Sequence, residues 1–313
     1  MRIRHLGILR VTTRSQRNLL MTPVRRPTPI SLSMACFLAA FIGFSASVEA
    51  AKTATSGPAL QSHSVYVLNE TDASVVLARH SDIAKPIASI TKLMTTLVVL
   101  EAKQPMDEIL EVAAEDAIGA KPVTSRLQIG TRLSRADLMH LALMSSENRA
   151  AHALARHYPG GLAACIREMN AKAKALGMTS APFEDPTGLS SENVASSEDL
   201  AKLVQAASEN KKIQEYSTDE RYTVKVGRRD VEFRNTDSLV RNPSWNIVIQ
   251  KTGYIAEAGR CLVMKTVFAG KSIVIVLLDS TGKYTRVADA KRIRKWLEAR
   301  LVAEATHNSA HHG

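Results

Sequence analysis

Strand-patterned sequence stands at both ends of the globular part of this chain, and the apolar spacing between them is helical. Residues 64–77 read as two strands around the turn-rich Asn69-Glu70-Thr71-Asp72. From Tyr222 the strand pattern returns in 246–251, 260–268 and 272–279, the last almost wholly apolar and rich in β-branched residues. Between them, over 88–207, residues such as Leu138, Leu141, Leu143 and the run from Ala150 onward fall at helical spacing. Pro159-Gly160-Gly161 and Asp185-Pro186-Thr187-Gly188 break that run into separate helices. Residues 286–301 close the chain as an amphipathic helix. Strands must pair to satisfy their backbones, so this order predicts one α/β domain whose two chain ends share an antiparallel sheet around a helical middle.

The first fifty residues do not belong to that globule. Arg25 and Arg26 precede an apolar run over 34–44, followed by small residues ending Val48-Glu49-Ala50, the layout of a secretory signal peptide cleaved after Ala50. The apolar stretch is too short to span a bilayer, which predicts no stable membrane anchor after cleavage. Counted from Met21 the polar leader is short and carries the Arg pair, so Met21 is the expected start. A low-order linker over 51–58, the domain over 59–302 and a disordered tail over 303–313 complete the organisation. His307, His311 and His312 in that tail read as a frayed terminus rather than a metal site.

Export also bears on charge and cysteine. The leader holds seven Arg and one Glu, so the formal charge of +11 falls to +5 without it. No basic run interleaved with aromatics remains, which argues against nucleic acid; anionic wall polymers or a solvated basic surface fit better. Cys36 lies in the leader. Cys165 falls in a helical pattern and Cys261 in a strand, neither at metal-ligand spacing, so two buried free thiols are expected.

Three short motifs carry chemistry. In Ser89-Ile90-Thr91-Lys92, at the start of a helical run, Ser and Lys lie one turn apart on the same face, so a lysine amine can reach a serine oxygen at a helix N-terminus. Ser146-Glu147-Asn148 ends an apolar helix, and Lys251-Thr252-Gly253 follows a strand. Each alone reads equally well as a cap or a solvated charge; in this order and context they form the S-x-x-K, S-x-N, K-T-G set.

With the stretches IASITKLMT, LMSSENRAA, EDPTGLSSENVASSEDLAKL and IQKTGYIAEAGRCLVM, the chain resembles the serine DD-peptidases of the low-molecular-mass penicillin-binding proteins over about residues 60–300. The run FRNTDSLVRNPSWNIVIQKTGY, and an end soon after the closing helix, are most similar to the penicillin-binding protein 7/8 D-alanyl-D-alanine endopeptidases. The resemblance implies a β-lactamase/transpeptidase-like fold and a periplasmic enzyme acting on peptidoglycan stem peptides, covalently inhibited by β-lactam antibiotics and needing no cofactor or metal. It implies that Ser89 attacks a D-Ala carbonyl, that Lys92 accepts its proton and that Ser146 relays it to the leaving amine. Asn148 would hold the substrate backbone, Lys251 and Thr252 would bind a carboxylate on the leaving side, and Gly253 would allow close approach. The amides of Ser89 and Tyr254 would form the oxyanion hole.

Three other readings remain in view: a D-alanyl-D-alanine carboxypeptidase, a non-catalytic penicillin sensor and a β-lactamase. The last would place a deacylating Glu in an E-x-x-L-N loop, whereas Glu184 is followed by Asp185-Pro186-Thr187-Gly188. The sensor would have lost a required position, and all are occupied.

Overall fold

The computed structural model describes residues 57–118 and 125–311, with side chains to Ala303. The expected leader, its start at Met21, Cys36 and most of the expected linker lie outside the described residues. A hairpin opens the fold: β1 (Ser62–Asn69) turns through residues 70–73 into β2 (Ser74–Arg79). Asn69 and Asp72 build that turn, the Asn69 amide donating to the Asp72 carboxylate at 2.7 Å. After β3 (Lys85–Pro86), a short 3₁₀ turn (Ala88–Ile90) feeds α1 (Thr91–Glu101). The pair β4 (Ile109–Glu111) and β5 (Arg132–Ser134) precedes α2 (Arg135–Met144), α3 (Asn148–Arg156) and α4 (Gly161–Ala175). The strand β6 (Val194–Ala195) pairs with β3, and α5 (Ser197–Ala207) and α6 (Lys211–Thr218) complete the helical middle. A second hairpin, β7 (Arg221–Val226) and β8 (Arg229–Arg234), leads to β9 (Asn246–Ile255), β10 (Gly259–Phe268), β11 (Lys271–Ser280) and α7 (Thr285–His311).

The main sheet runs β2-β1-β11-β10-β9, every pair antiparallel, so the two chain ends meet where β1 pairs with β11 from Ser62↔Ser280 to Asn69↔Ile273. Period-two alternation explains why β11 is apolar throughout. Val274, Val276 and Leu278 face the helical middle, while Ile273, Ile275 and Leu277 face α7 through Ile293, Trp296 and Leu297. A sheet covered on both faces needs apolar residues at every position.

Two elements run past their expected ends. The strand expected over 246–251 continues to Ile255, because the β10 ladder holds Thr252 opposite Leu262 and Gly253 opposite Cys261 although their side chains no longer look strand-like. The closing helix, expected to stop at Leu301, reaches His311 and covers most of the tail read as 303–313; no Pro or Gly in 302–311 stops it. Cys165 and Cys261 are buried and free, and burial pushes their thiols up to about 12 and about 11.

Candidate active site

Ser89 sits in the 3₁₀ turn and Lys92 in the first turn of α1, so three residues of chain bring both to one point. The fully buried Lys92 Nζ lies 2.8 Å from Ser89 Oγ, 2.7 Å from Asn148 Oδ1 and 2.7 Å from the Thr187 carbonyl. The Asn148 and Thr187 oxygens only accept, and together they take two N–H groups. A neutral amine then keeps one lone pair, aimed at the serine hydroxyl. Burial lowers the Lys92 pKa to about 7, against the opposing pull of the Asp185 and Glu147 carboxylates.

The loop that supplies the Thr187 carbonyl is braced on every side. The Asp185 carboxylate accepts from Thr187 N (2.6 Å), Thr187 Oγ1 (2.6 Å), Gly188 N (2.8 Å) and Ser190 N (2.8 Å). Asn193 Nδ2 donates to Thr91 Oγ1 and to the Asp185 carbonyl, while the Asn193 backbone carbonyl accepts from Ile87 N at 3.0 Å. Gly188 (φ +78°) passes so close that a Cβ there would stand 1.9 Å from the Ala88 carbonyl oxygen. Ala88 itself is left-handed at φ 48°, which holds Ser89 at the apex of a strained turn.

Ser146 and Lys251 form the opposite wall. Met144 ends α2, Ser146 turns the chain at φ 60°, and the Glu147 carboxylate caps α3, so Asn148 opens α3 pointing at Lys92. The buried Lys251 Nζ donates to Ser146 Oγ and to the Thr252 carbonyl, each at 2.9 Å. Burial, then the charges of Lys92 and Arg286, hold Lys251 well below the usual lysine range. Thr252 Oγ1 lies 2.6 Å from Thr236 Oγ1, and Thr236 N donates to the Met144 carbonyl, tying β9 to the end of α2. At Gly253 the close approach is to the nucleophile turn itself: a Cβ would meet Ile87 O at 2.8 Å and Ser89 N at 3.1 Å. Tyr254 follows at the strand rim, 57% exposed.

The structure therefore brings Ser89, Lys92, Ser146, Asn148, Lys251, Thr252, Gly253 and Tyr254 to one cleft between the helical layer and the edge strand β9. Sequence reasoning passed over Thr187, Asp185, Gly188, Asn193, Thr236 and Arg286. The Asp185-Pro186-Thr187-Gly188 stretch carried a signal, read as a helix breaker and as part of the family resemblance but not as a holder of Lys92; its Asp and Gly are what an Asp-capped loop against another backbone requires. Arg286, whose Nη1 donates to the Gly253 carbonyl at 3.2 Å, carried none. Among the described residues no cluster of His, Cys, Asp or Glu is arranged to hold a metal ion, and no helix is long and apolar enough to cross a membrane.

Comparison with known proteins gives one consistent result. A family model described as D-alanyl-D-alanine carboxypeptidase matches residues 51–282. The chain is similar to the D-alanyl-D-alanine endopeptidase of Escherichia coli (strain K12), 46% identical over 255 residues that cover 81% of this chain and 82% of that protein. It is also similar to that of Pseudomonas aeruginosa, 45% identical over 245 residues covering 78% and 79%. Among solved structures, the Streptomyces K15 DD-transpeptidase superposes with a TM-score of 0.73 at 25% identity, covering 77% of this chain and 98% of that one. The fold is thus that of the β-lactamase/transpeptidase class.

Proposed function

The chain belongs to the D-alanyl-D-alanine carboxypeptidase family of serine peptidases, and from that premise we propose that it is a periplasmic DD-endopeptidase that opens D-alanyl-diamino acid crosslinks of peptidoglycan through an acyl-enzyme on Ser89. The observation that carries the chemistry is the buried Lys92 amine 2.8 Å from the Ser89 hydroxyl. At a pKa of about 7 a large share of that amine is neutral near pH 7 and able to take the serine proton as Oγ attacks the D-Ala carbonyl. The Ser89 and Tyr254 amides receive the oxyanion; losing one such donor costs about 3 kcal/mol of transition-state stabilisation. Ser146, held by Lys251, passes the proton to the leaving amine, and Asn148 orients Lys92 and the substrate backbone. Water then hydrolyses the ester.

The choice of endopeptidase over carboxypeptidase rests on two relatives at 46% and 45% identity, both named D-alanyl-D-alanine endopeptidase. The location rests on the leader-like first fifty residues. Penicillins acylate the same serine, and the chain lacks the E-x-x-L-N loop that gives a β-lactamase its deacylating Glu, Glu184 being followed by Asp185-Pro186-Thr187-Gly188. That argument disfavours β-lactamase turnover.

Purified protein is incubated with crosslinked muropeptide dimers and, separately, with pentapeptide monomers, and the products are read by mass spectrometry. Dimers becoming monomers establish the endopeptidase. Loss of a terminal D-Ala alone makes it a carboxypeptidase, and penicillin labelling without either product leaves a sensor.

A further inference from the structure

The loop that aims the Thr187 carbonyl at Lys92 also walls a cavity of about 310 Å³, and none of the cleft's eight sequence-predicted residues lines it. Leu162 and Ile166 of α4 stand on one side, Pro186 and Leu189 of the loop on the other. His152 of α3, Glu184, Asp185 and Ser190 supply its polar groups. The bonds that fix Thr187 fix this wall as well: Asp185 accepts from four loop donors, and the Pro186 carbonyl accepts from Thr95 Oγ1 at 2.7 Å. The cavity is therefore preformed, as small-molecule sites usually are.

His152, only 6% exposed, is held toward this space from behind. Its Nδ1 lies 2.7 Å from Asp116 Oδ1. Asp116, fully buried in a 3₁₀ turn (Ala114–Asp116), also accepts from Arg156 Nε at 3.1 Å, Arg156 Nη2 at 2.9 Å and Ala113 N at 2.8 Å. Against the opposing effect of burial, the bonds from His152 and Arg156 hold the Asp116 carboxyl below its ordinary range, so Nδ1 is the nitrogen that carries the proton. A carboxylate behind an imidazole fixes its tautomer and orientation, as it does where the other nitrogen serves a ligand. That other nitrogen, Nε2, has no hydrogen-bond partner among the described residues and is open to the cavity that the ring lines. Among the described residues no Lys or Arg lines the cavity. Asp185 is committed to its loop, whereas the exposed Glu184 carboxylate has no hydrogen-bond or ion-pair partner among the described residues. A neutral Nε2 lone pair and a free carboxylate both accept, so the polar end of a matching ligand donates and is favoured by positive charge. The aliphatic walls suit a methylene chain behind it.

We propose that this cavity is a second binding site, separate from the cleft, for a primary ammonium on an aliphatic chain, held by His152 Nε2 and the Glu184 carboxylate. For the source of that group the inference rests on the peptidase reading above. Opening a D-alanyl-diamino acid crosslink frees the amine at the end of a diamino acid side chain, which is an ammonium on methylenes. The site thus gives the enzyme a second hold on stem peptides with a free side-chain amine, whether on the stem being cut or on a neighbour.

The probe is Nα-acetyl-lysine amide, with its Nε-acetyl form as the uncharged control. Protein first acylated with penicillin, so that the cleft is blocked, is titrated with each by calorimetry at pH 8, above the ordinary imidazole range. In the unaltered protein the His152 ring nitrogens are followed by NMR. The charged probe is expected to shift that ring saturably and to bind about tenfold or more tighter than the control, the worth of hydrogen bonds to a charged group. Glu184→Gln, a change at an exposed side chain, weakens the charged probe about two- to fivefold and leaves the control unmoved. His152→Gln weakens it about tenfold or more; should that variant fail to fold, Glu184→Gln decides. Equal affinity for the two probes, or affinities that the substitutions leave unchanged, overturn the proposal. KM then identifies the source. Glu184→Gln raises it for isolated dimers when the amine belongs to the stem being cut, and for polymeric peptidoglycan alone when it belongs to a neighbour; no change for either contradicts a second hold. If the unaltered protein leaves dimers intact, the peptidase reading has failed, and the probe titration still decides the cavity.

Discussion

Lys92 is the residue on which the chemistry turns, and its environment makes a pH prediction. Because burial lowers its pKa to about 7, the neutral base is scarce at pH 5 and abundant at pH 8. The rate of acylation by penicillin therefore rises through about pH 7 and levels above it; a rate unchanged between pH 5 and pH 8 contradicts Lys92 as the base. A second residue-scale expectation concerns Gly188, whose left-handed backbone presses on the Ala88 carbonyl. Gly188→Ala combines left-handed strain with overlap and destabilises by about 2–4 kcal/mol, read from the midpoint of urea unfolding. A midpoint within error of the original would show that the loop yields. At this scale the sequence exposed groups with chemistry of their own. Ser89, Lys92, Ser146, Asn148 and Lys251 were visible as motif letters, whereas the Thr187 carbonyl was not, because every residue carries a carbonyl and only the folded loop aims this one at an amine. Arg286 was hidden because nothing in its sequence surroundings marks it among the chain's many arginines.

At the scale of elements, strand β9 shows how function bends a pattern. Its apolar alternation ends near Gln250 because Lys251, Thr252 and Gly253 serve the cleft, yet the ladder to β10 continues to Ile255. A reading by periodicity ends the strand too early wherever a strand edge lines a site. The 271–280 strand, by contrast, was legible to within a residue or two, since burial on both faces leaves an unmistakable apolar run. Loop 184–193 is the converse: it has no period at all and is specified by Asp185 and Asn193 through side-chain bonds to its own backbone. Asp185→Asn replaces a carboxylate oxygen by a donor in a site of four donors. It should slow penicillin acylation at least tenfold by displacing Thr187, at a cost of about 1–3 kcal/mol for an unsatisfied group. Unaltered acylation would show that the loop does not position Lys92.

For the whole molecule, the decisive feature is that the first and last strands are neighbours. The seam is sealed by Asp289 of α7, whose buried Oδ2 accepts from Gln61 N, Ser62 N and Ser62 Oγ at 3.0, 2.7 and 2.7 Å. Asp289→Ala strands those donors at the join of β1 and β11 and lowers Tm by roughly 5–10 °C in a scanning experiment, without altering the cleft's residues. A Tm unchanged to within a degree would mean that the seam holds by its backbone ladder alone. Strand-rich ends and a helical middle made this closure foreseeable; which carboxylate would lock it was not, since Asp289 lies 227 residues from its partner Ser62.

An acyl-enzyme on Ser89 is checked by treating the protein with penicillin, digesting it and mapping the adduct by mass spectrometry. A single penicilloyl ester is expected on the peptide containing Ser89, and none in Ser89→Ala protein that retains its Tm. An adduct on any other residue, or labelling that survives Ser89→Ala, contradicts it.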